Sequence, residues 1–420
     1  MNRIVVTGGK RLVGEVRIGG SKNAALPLLF AGILTGDVCV FSNLPRVSDV
    51  LQSLEILRFM GARIRFHRSG DVEVDYRELR PVAPPASLTS AIRGSVYLLG
   101  AMLGRFGFAA LPGAGGCDFG NRPIDLHLRG LGLMGAVEVP TEEVLTLRAA
   151  EGLTGCQFRL PLPSVGATGN LLMAATAARG ETVLSCVAIE PHVQALAAFL
   201  RAAGADISPF EEGTVRVRGG APLHGCHVTV IPDMIEAGTY LCAAMATGGR
   251  VMLQDVVPEH LGALLWVLER MGARLQIRRD SILLEAPERY RCTRIETGPY
   301  PAFPTDLHPQ MAALFCIGGR AVGEGSVRER VWQSRFRYTE ELRKMGAAVR
   351  IGGEEARFVP SPLHGAEVRS PDLRGGAALL LAALAVEERT EITNAATIGR
   401  GYEHLEAKLR ALGARVRVYG

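Results

Sequence analysis

The chain is poor in aromatics: of its 420 residues only 6% are Phe, Trp or Tyr. That leaves too few ring faces for the stacking platforms that hold single-stranded nucleic acid. Basic residues are not concentrated either. The formal net charge is +5, with Lys and Arg spread along the chain, so a polyanion track is unsupported and small anionic ligands fit better. Eight cysteines, at 39, 117, 156, 186, 226, 242, 292 and 316, include no C-x-x-C pair and no zinc-like His spacing. They read as reduced, mostly buried thiols, and neither a disulfide framework nor a metal site is expected. No apolar run approaches the ~20 uncharged residues that span a bilayer. The start, MNRIVVTGGKRLVGEV, alternates like a strand and lacks the features of a secretion signal. A cytoplasmic location is expected, without membrane or nucleic-acid partners.

What the chain does have is glycine, 50 residues of it, and a repeated phrase. RFMGARIRF begins at Arg58, GLMGAVEV at Gly132, RAAGADI at Arg201, ERMGARLQI at Glu269, RKMGAAVRI at Arg343 and RALGARVRV at Arg410. Each reads as an amphipathic helix closed by a C-terminal Gly and followed by a short alternating strand. The spacing, about 66 to 74 residues, is too long for an ordinary solenoid repeat and implies a larger supersecondary unit. At this length two domains of about 200 residues are expected.

A second pattern lies upstream of each phrase: SKNAALPLLFAGILTG, TSAIRGSVYLLGAMLG, SVGATGNLLMAATAARG, PDMIEAGTYLCAAMATGG, FPTDLHPQMAALFCIGG and PDLRGGAALLLAALAVEE. These helices are apolar on nearly every face and must be buried. Their polar groups gather at the start: Ser21-Lys22-Asn23, Arg93, Ser164, Asp233 with Glu236, Thr305-Asp306, and Asp372 with Arg374. Each unit therefore predicts buried helix, strand, amphipathic helix, strand, three units to a half. If the buried helices run parallel, their N-termini offer unpaired N–H groups and positive dipole ends to phosphate or carboxylate. Taken singly, Ser164, Asp233 or Asp306 is equally an ordinary N-cap. Lys22, Arg93 and Arg374 do not cap N-termini and need an anion or acid beside them.

Ordered motifs run from the first helix to the last: SKNAALPLL, the loop LPGAGGCDFGNRPIDLH at Leu111–His127, PSVGAT, PD-x-IE-x-GT, PAFPTD, DLR at Asp372 and RGYE at Arg400. By these motifs the chain resembles the UDP-N-acetylglucosamine 1-carboxyvinyltransferases, enolpyruvyl transferases that open peptidoglycan synthesis. The resemblance implies an α/β protein with the two-domain inside-out α/β barrel of the enolpyruvyl transferase fold: six repeated units, three per domain, interior helices and exterior sheets. Residues 1–21 plus 231–420 would form a discontinuous domain, and 22–230 an inserted one carrying the Cys117 lid loop. The implied partners are two small molecules, phosphoenolpyruvate and UDP-N-acetylglucosamine. No cofactor or metal is implied, and a monomer is expected.

The resemblance also assigns roles. Cys117, Asp306, Lys22 and Arg400 match catalytic positions. Lys22, Asn23, Arg122 and Arg400 match phosphoenolpyruvate contacts. Arg93, Arg122, Pro123, Ile124, Asp125, Leu126, Ser164, Val165, Asp306 and Val331 match nucleotide-sugar contacts. Guanidinium forks suit carboxylate and phosphate. Cys117 would be the acid that protonates the methylene carbon, delivered by a glycine-rich lid, and an epoxide such as fosfomycin should alkylate it. Asp306 would be the base, or at least the orienter, for the sugar hydroxyl. Asp372 and Arg374 would face the same cleft, or pair as a salt bridge in its wall.

The chain departs from the family pattern at Leu162 where some members place a lysine, at Gln333-Ser334 where E-N is common, at Gly399 before Arg400, and in GAGGC where GGC is typical. None removes a chemical residue. Two alternatives stay open: the sister activity on shikimate 3-phosphate, which the SKNAA start and Cys117 oppose, and a nucleotide-sugar sensor without turnover.

Overall fold

The computed structural model describes residues 2–113, 124–141, 144–332 and 334–420. They fall into two compact units, one built from the residues up to Gly19 with Pro232–Gly420, the other lying between Gly20 and Ile231.

Within each unit three helices form the interior, because their sequences leave no polar face to offer water. In the unit starting at Gly20 these are Lys22–Ala31, Leu98–Phe106 and Val165–Ala177. In the other they are Met234–Thr247, His308–Cys316 and Leu373–Ala385, the last buried from Leu373 to Leu384 without a break. Backbone contact between the first trio is close. The Gly100 amide donates to Asn170 Oδ1 at 2.7 Å, and a Cβ at Gly100 would meet the Asn170 carbonyl oxygen at 2.3 Å, so only glycine permits the approach.

The six phrases close six amphipathic helices as the pattern predicts. Gly61, Gly135, Gly204, Gly272, Gly346 and Gly413 all take positive φ, at 108°, 95°, 105°, 106°, 92° and 94°. Each turns the chain out of a helix and into a strand.

After that strand the structure departs from expectation. In five of the six units the single strand predicted after the amphipathic helix is the first arm of an antiparallel hairpin. In the first unit Arg63–Phe66 turns back as Val72–Asp75, which pairs in turn with Val38–Ser42. The second arm is needed because the first is largely exposed, whereas Val72 and Val74 are fully buried. A short parallel strand completes most sheets, as His227–Thr229 does beside Val38–Ser42. The last sheet is finished by the start of the chain: Arg3–Thr7 lies between Arg389–Thr393 and Arg415–Tyr419. No helix among the described residues is long and apolar enough to cross a membrane.

Candidate active site

In the unit containing Pro232–Gly420, the polar first turns meet. The helix after Pro304 begins at His308, and its N-cap is Leu307. Asp306 is therefore not a cap, and its carboxylate is used elsewhere. Oδ1 accepts from Arg335 Nη2 at 2.8 Å, while Oδ2 accepts from both Nε and Nη2 of Arg374 at 3.1 Å. The two arginine side chains are 2% exposed and the aspartate 27%. The carboxylate is thus held from the protein side and open on the other.

Asp372 does not pair with the Arg374 side chain. It caps its own helix, Oδ1 accepting from the backbone N–H of Arg374 at 2.9 Å and of Gly375 at 3.0 Å. Arg374 is carried on the first turn of a buried helix and reaches across to Asp306. Burial works against its cation, but Asp306, Tyr402 and Asp233 outweigh that and raise it above the ordinary arginine value. The guanidinium also lies over the Tyr402 ring, 5.5 Å from its centre. Beneath, the Tyr402 hydroxyl is 2.9 Å from Thr239 Oγ1, and Gln310 Nε2 donates to that same oxygen at 3.0 Å. Thr239, Gln310 and Arg374 come from the N-terminal halves of the three interior helices, which share one polar network. Arg400 is half-buried at the end of the turn Ala395–Arg400, two residues before Tyr402. Val331 is 38% exposed on the loop after Gly325–Arg328.

In the other unit, Ser21 caps the helix that Lys22 begins. Lys22 Nζ lies 3.3 Å from Asp49 Oδ2, with the side chains 14% and 7% exposed. Asp49 sits in the first turn of Ser48–Phe59 and supplies the acid that a lysine at a positive helix end requires. Asn23 is half-buried beside it. Arg93 opens the short turn Arg93–Tyr97, and burial pulls its guanidinium below the usual arginine range. Ser164 caps Val165–Ala177, accepting from Ala167 N at 3.3 Å. Ile124 is the N-cap residue of Asp125–Leu133; Asp125 is exposed there, Leu126 partly buried.

His127, the last residue of the loop motif, is buried on the helix Asp125–Leu133. The structure places it against Gly166, whose Cβ position is 2.9 Å from His127 Cε1. Asn170 Nδ2 lies 2.7 Å from His127 Nδ1 and donates to Val96 O at 3.0 Å. With Asn170 Oδ1 taken by Gly100, the amide orientation is settled, so His127 Nδ1 accepts and its proton sits on Nε2. Burial, then the charge of Arg93, press its pKa down to about 4 against a weaker pull from Asp125. Cys117, Arg122, Pro123 and the Gln333 departure lie outside the described residues.

In the unit containing Pro232–Gly420 an oriented carboxylate is held by two buried guanidinium groups, a setting for a hydroxyl that must be aimed; in the other unit Lys22 and Arg93 stand at helix starts, a setting for anions. The EPSP synthase family model, described as 3-phosphoshikimate 1-carboxyvinyltransferase, matches residues 6–409. The chain belongs to the EPSP synthase family. Among curated relatives of this family member, UDP-N-acetylglucosamine 1-carboxyvinyltransferase 3 of Caldanaerobacter subterraneus subsp. tengcongensis is 41% identical over 99% of both chains. The Kosmotoga olearia UDP-N-acetylglucosamine 1-carboxyvinyltransferase is 39% identical over 100% of this chain and 99% of that one. Among solved structures, the enolpyruvyl transferase NikO from Streptomyces tendae superposes with a TM-score of 0.89 at 29% identity, covering 99% of this chain and 98% of NikO. EPSP synthase from Acinetobacter baumannii, at 20% identity and TM-score 0.73 over the whole of both chains, shares the fold. The enolpyruvyl transferase fold expected from the motifs is therefore the fold this family member has.

Of the departures, Leu162 is 56% exposed, so its exchange for lysine changes a surface group and disturbs no packing. Sequence reasoning did not single out Glu329, His308 or Asn170. A glutamate in the run R-E-R and polar residues inside apolar helices carry no signal until the fold shows what they face.

Proposed function

We propose that this chain transfers the enolpyruvyl group of phosphoenolpyruvate to the 3′-hydroxyl of UDP-N-acetylglucosamine and releases phosphate, the first committed step of peptidoglycan synthesis. The observation that carries the reading is the full-length identity of 39 to 41% to relatives bearing that activity's name. Retention of every chemical residue of the motifs supports it.

In this reaction the sugar oxygen bonds to C2 of phosphoenolpyruvate as its own proton leaves toward the Asp306 carboxylate, and C3 takes a proton, giving a tetrahedral adduct. Loss of a C3 proton and of phosphate then restores the double bond. Lys22, Asn23, Arg122 and Arg400 hold phosphoenolpyruvate, and their positive charge offsets repulsion between two anionic reactants. Cys117 delivers the proton to C3. Asp306 aligns the sugar hydroxyl: with both oxygens already accepting from Arg335 and Arg374, it works more by orienting the nucleophile than by raw basicity. Arg93, Ile124, Asp125, Leu126, Ser164, Val165 and Val331, with Arg122 and Pro123, hold the nucleotide sugar. With it we propose a cytoplasmic monomer that needs no cofactor.

The test is phosphate release from phosphoenolpyruvate with each acceptor in turn. UDP-N-acetylglucosamine should support turnover and shikimate 3-phosphate should not. Turnover with the shikimate acceptor alone, or binding of the nucleotide sugar without release by the parent chain, overturns the reading. Replacing Lys22 or Arg400 by Ala should raise KM for phosphoenolpyruvate at least tenfold, the cost of one charge-assisted contact, and leave nucleotide-sugar affinity within about twofold. Equal loss of both affinities would contradict the assigned roles.

A further inference from the structure

Glu329 is a carboxylate that the proposed chemistry does not use, yet it is 3% exposed. An ionised group so placed costs several kcal/mol unless its lone pairs are filled. They are filled from two directions. Oε1 accepts from the backbone N–H of Val331 at 2.7 Å and of Trp332 at 3.0 Å. Oε2 accepts from the Thr305 hydroxyl at 2.9 Å and lies 3.4 Å from His308 Nε2. A purely local turn would need only the first pair of bonds. The Thr305 bond reaches a segment 24 residues earlier in the chain, the one that presents Asp306.

We infer that Glu329 is a positioning residue for the acceptor, bracing the Thr305–Asp306 segment and the Val331–Trp332 loop against each other as one rigid unit. The inference rests on the functional reading above and deepens it. Asp306 aims the sugar hydroxyl and Val331 touches the nucleotide sugar, so their separation sets where the hydroxyl stands relative to the aspartate. Backbone amides and a threonine hydroxyl cannot hold that separation by packing alone, since each side of the link is a loop. His308 supports the same arrangement from beneath. It is fully buried, and burial followed by the charge of Arg335 keeps its imidazole far below the usual histidine range. It therefore lies neutral beside the carboxylate, its Nδ1 3.4 Å from the Tyr338 hydroxyl.

The test is a double-mutant cycle on the full chain with Glu329→Gln, Thr305→Val, both together, and Thr305→Ser. Glutamine keeps the shape and one oxygen for the two backbone amides while removing the charge that Thr305 and the loop share. Either single substitution should lower kcat and raise KM for UDP-N-acetylglucosamine, each about tenfold, with KM for phosphoenolpyruvate within twofold. The double variant should be no worse than the poorer single one, because each breaks the same link. Thr305→Ser, which restores the hydroxyl, should return the parent values. Losses that multiply, an equal rise in KM for phosphoenolpyruvate, or a serine variant as poor as valine would overturn the brace. If Glu329→Gln does not fold, the contrast between valine and serine at 305 decides alone. Parent turnover separates the two claims: an inactive parent overturns the functional reading, and an active parent with unaffected variants overturns the brace.

Discussion

At the scale of single residues, the decisive fact is that one carboxylate serves two buried guanidinium groups. Asp306 faces both Arg335 and Arg374, each 2% exposed, so removing its charge takes an anionic partner from two buried cations at once. Replacing Asp306 by Asn should lower kcat by about 10²- to 10⁴-fold through lost hydroxyl alignment. It should also cost about 3 kcal/mol of stability through the buried ion pairs broken on one side. Steady-state kinetics and urea denaturation measured on the same preparation check both. A variant that loses activity and keeps its stability would show that the arginines find other partners. The motif PAFPTD pointed to Asp306, but not to its partners, because Arg335 and Arg374 stand 29 and 68 residues away.

At the scale of the element, the repeated phrase works through its glycine. All six hold φ near +100°, where any Cβ is strained by about 1–2 kcal/mol. Surroundings then separate them. A Cβ at Gly61 would stand 2.7 Å from the Glu78 carbonyl oxygen, whereas at Gly135 nothing approaches closer than 3.9 Å. Gly135→Ala should therefore lose about 1–2 kcal/mol and Gly61→Ala clearly more, read from urea midpoints at constant m-value. Equal losses would mean that backbone conformation alone matters. The sequence period announced the helices and caps, while the hairpin's second arm was missed. Its strand pattern, V-E-V-D in the first unit, has the same alternation as the strand before it, and only burial of Val72 and Val74 tells the two arms apart.

At the scale of the whole molecule, each compact unit buries one histidine in its neutral form: His127 in one, pressed to about 4, and His308 in the other, held well below the usual histidine range. Burial is the larger cause in both. Both imidazoles are less basic folded than unfolded, so below about pH 6.5 the unfolded chain binds more protons. Stability is complete above that value and falls as the pH drops toward 4, by about 3 kcal/mol at most from His127. Urea midpoints should decline from pH 7 to pH 5. In His127→Asn, whose side-chain oxygen can still accept from Asn170, the decline should be shallower. An unchanged slope would place the acid sensitivity elsewhere.

The sequence by itself determined the unit: six buried helices, six capped amphipathic ones and strands between them follow from periodicity and glycine placement, which are local properties. Its motifs determined the family, since they depend on residue identity in order. Only the tertiary structure decided which groups share a charge. Asp306 with Arg335 and Arg374, His127 with Asn170, and Glu329 with Thr305 are each joined across 24 residues or more. Hydrogen bonds and Coulomb forces act through space, and sequence distance carries no record of them.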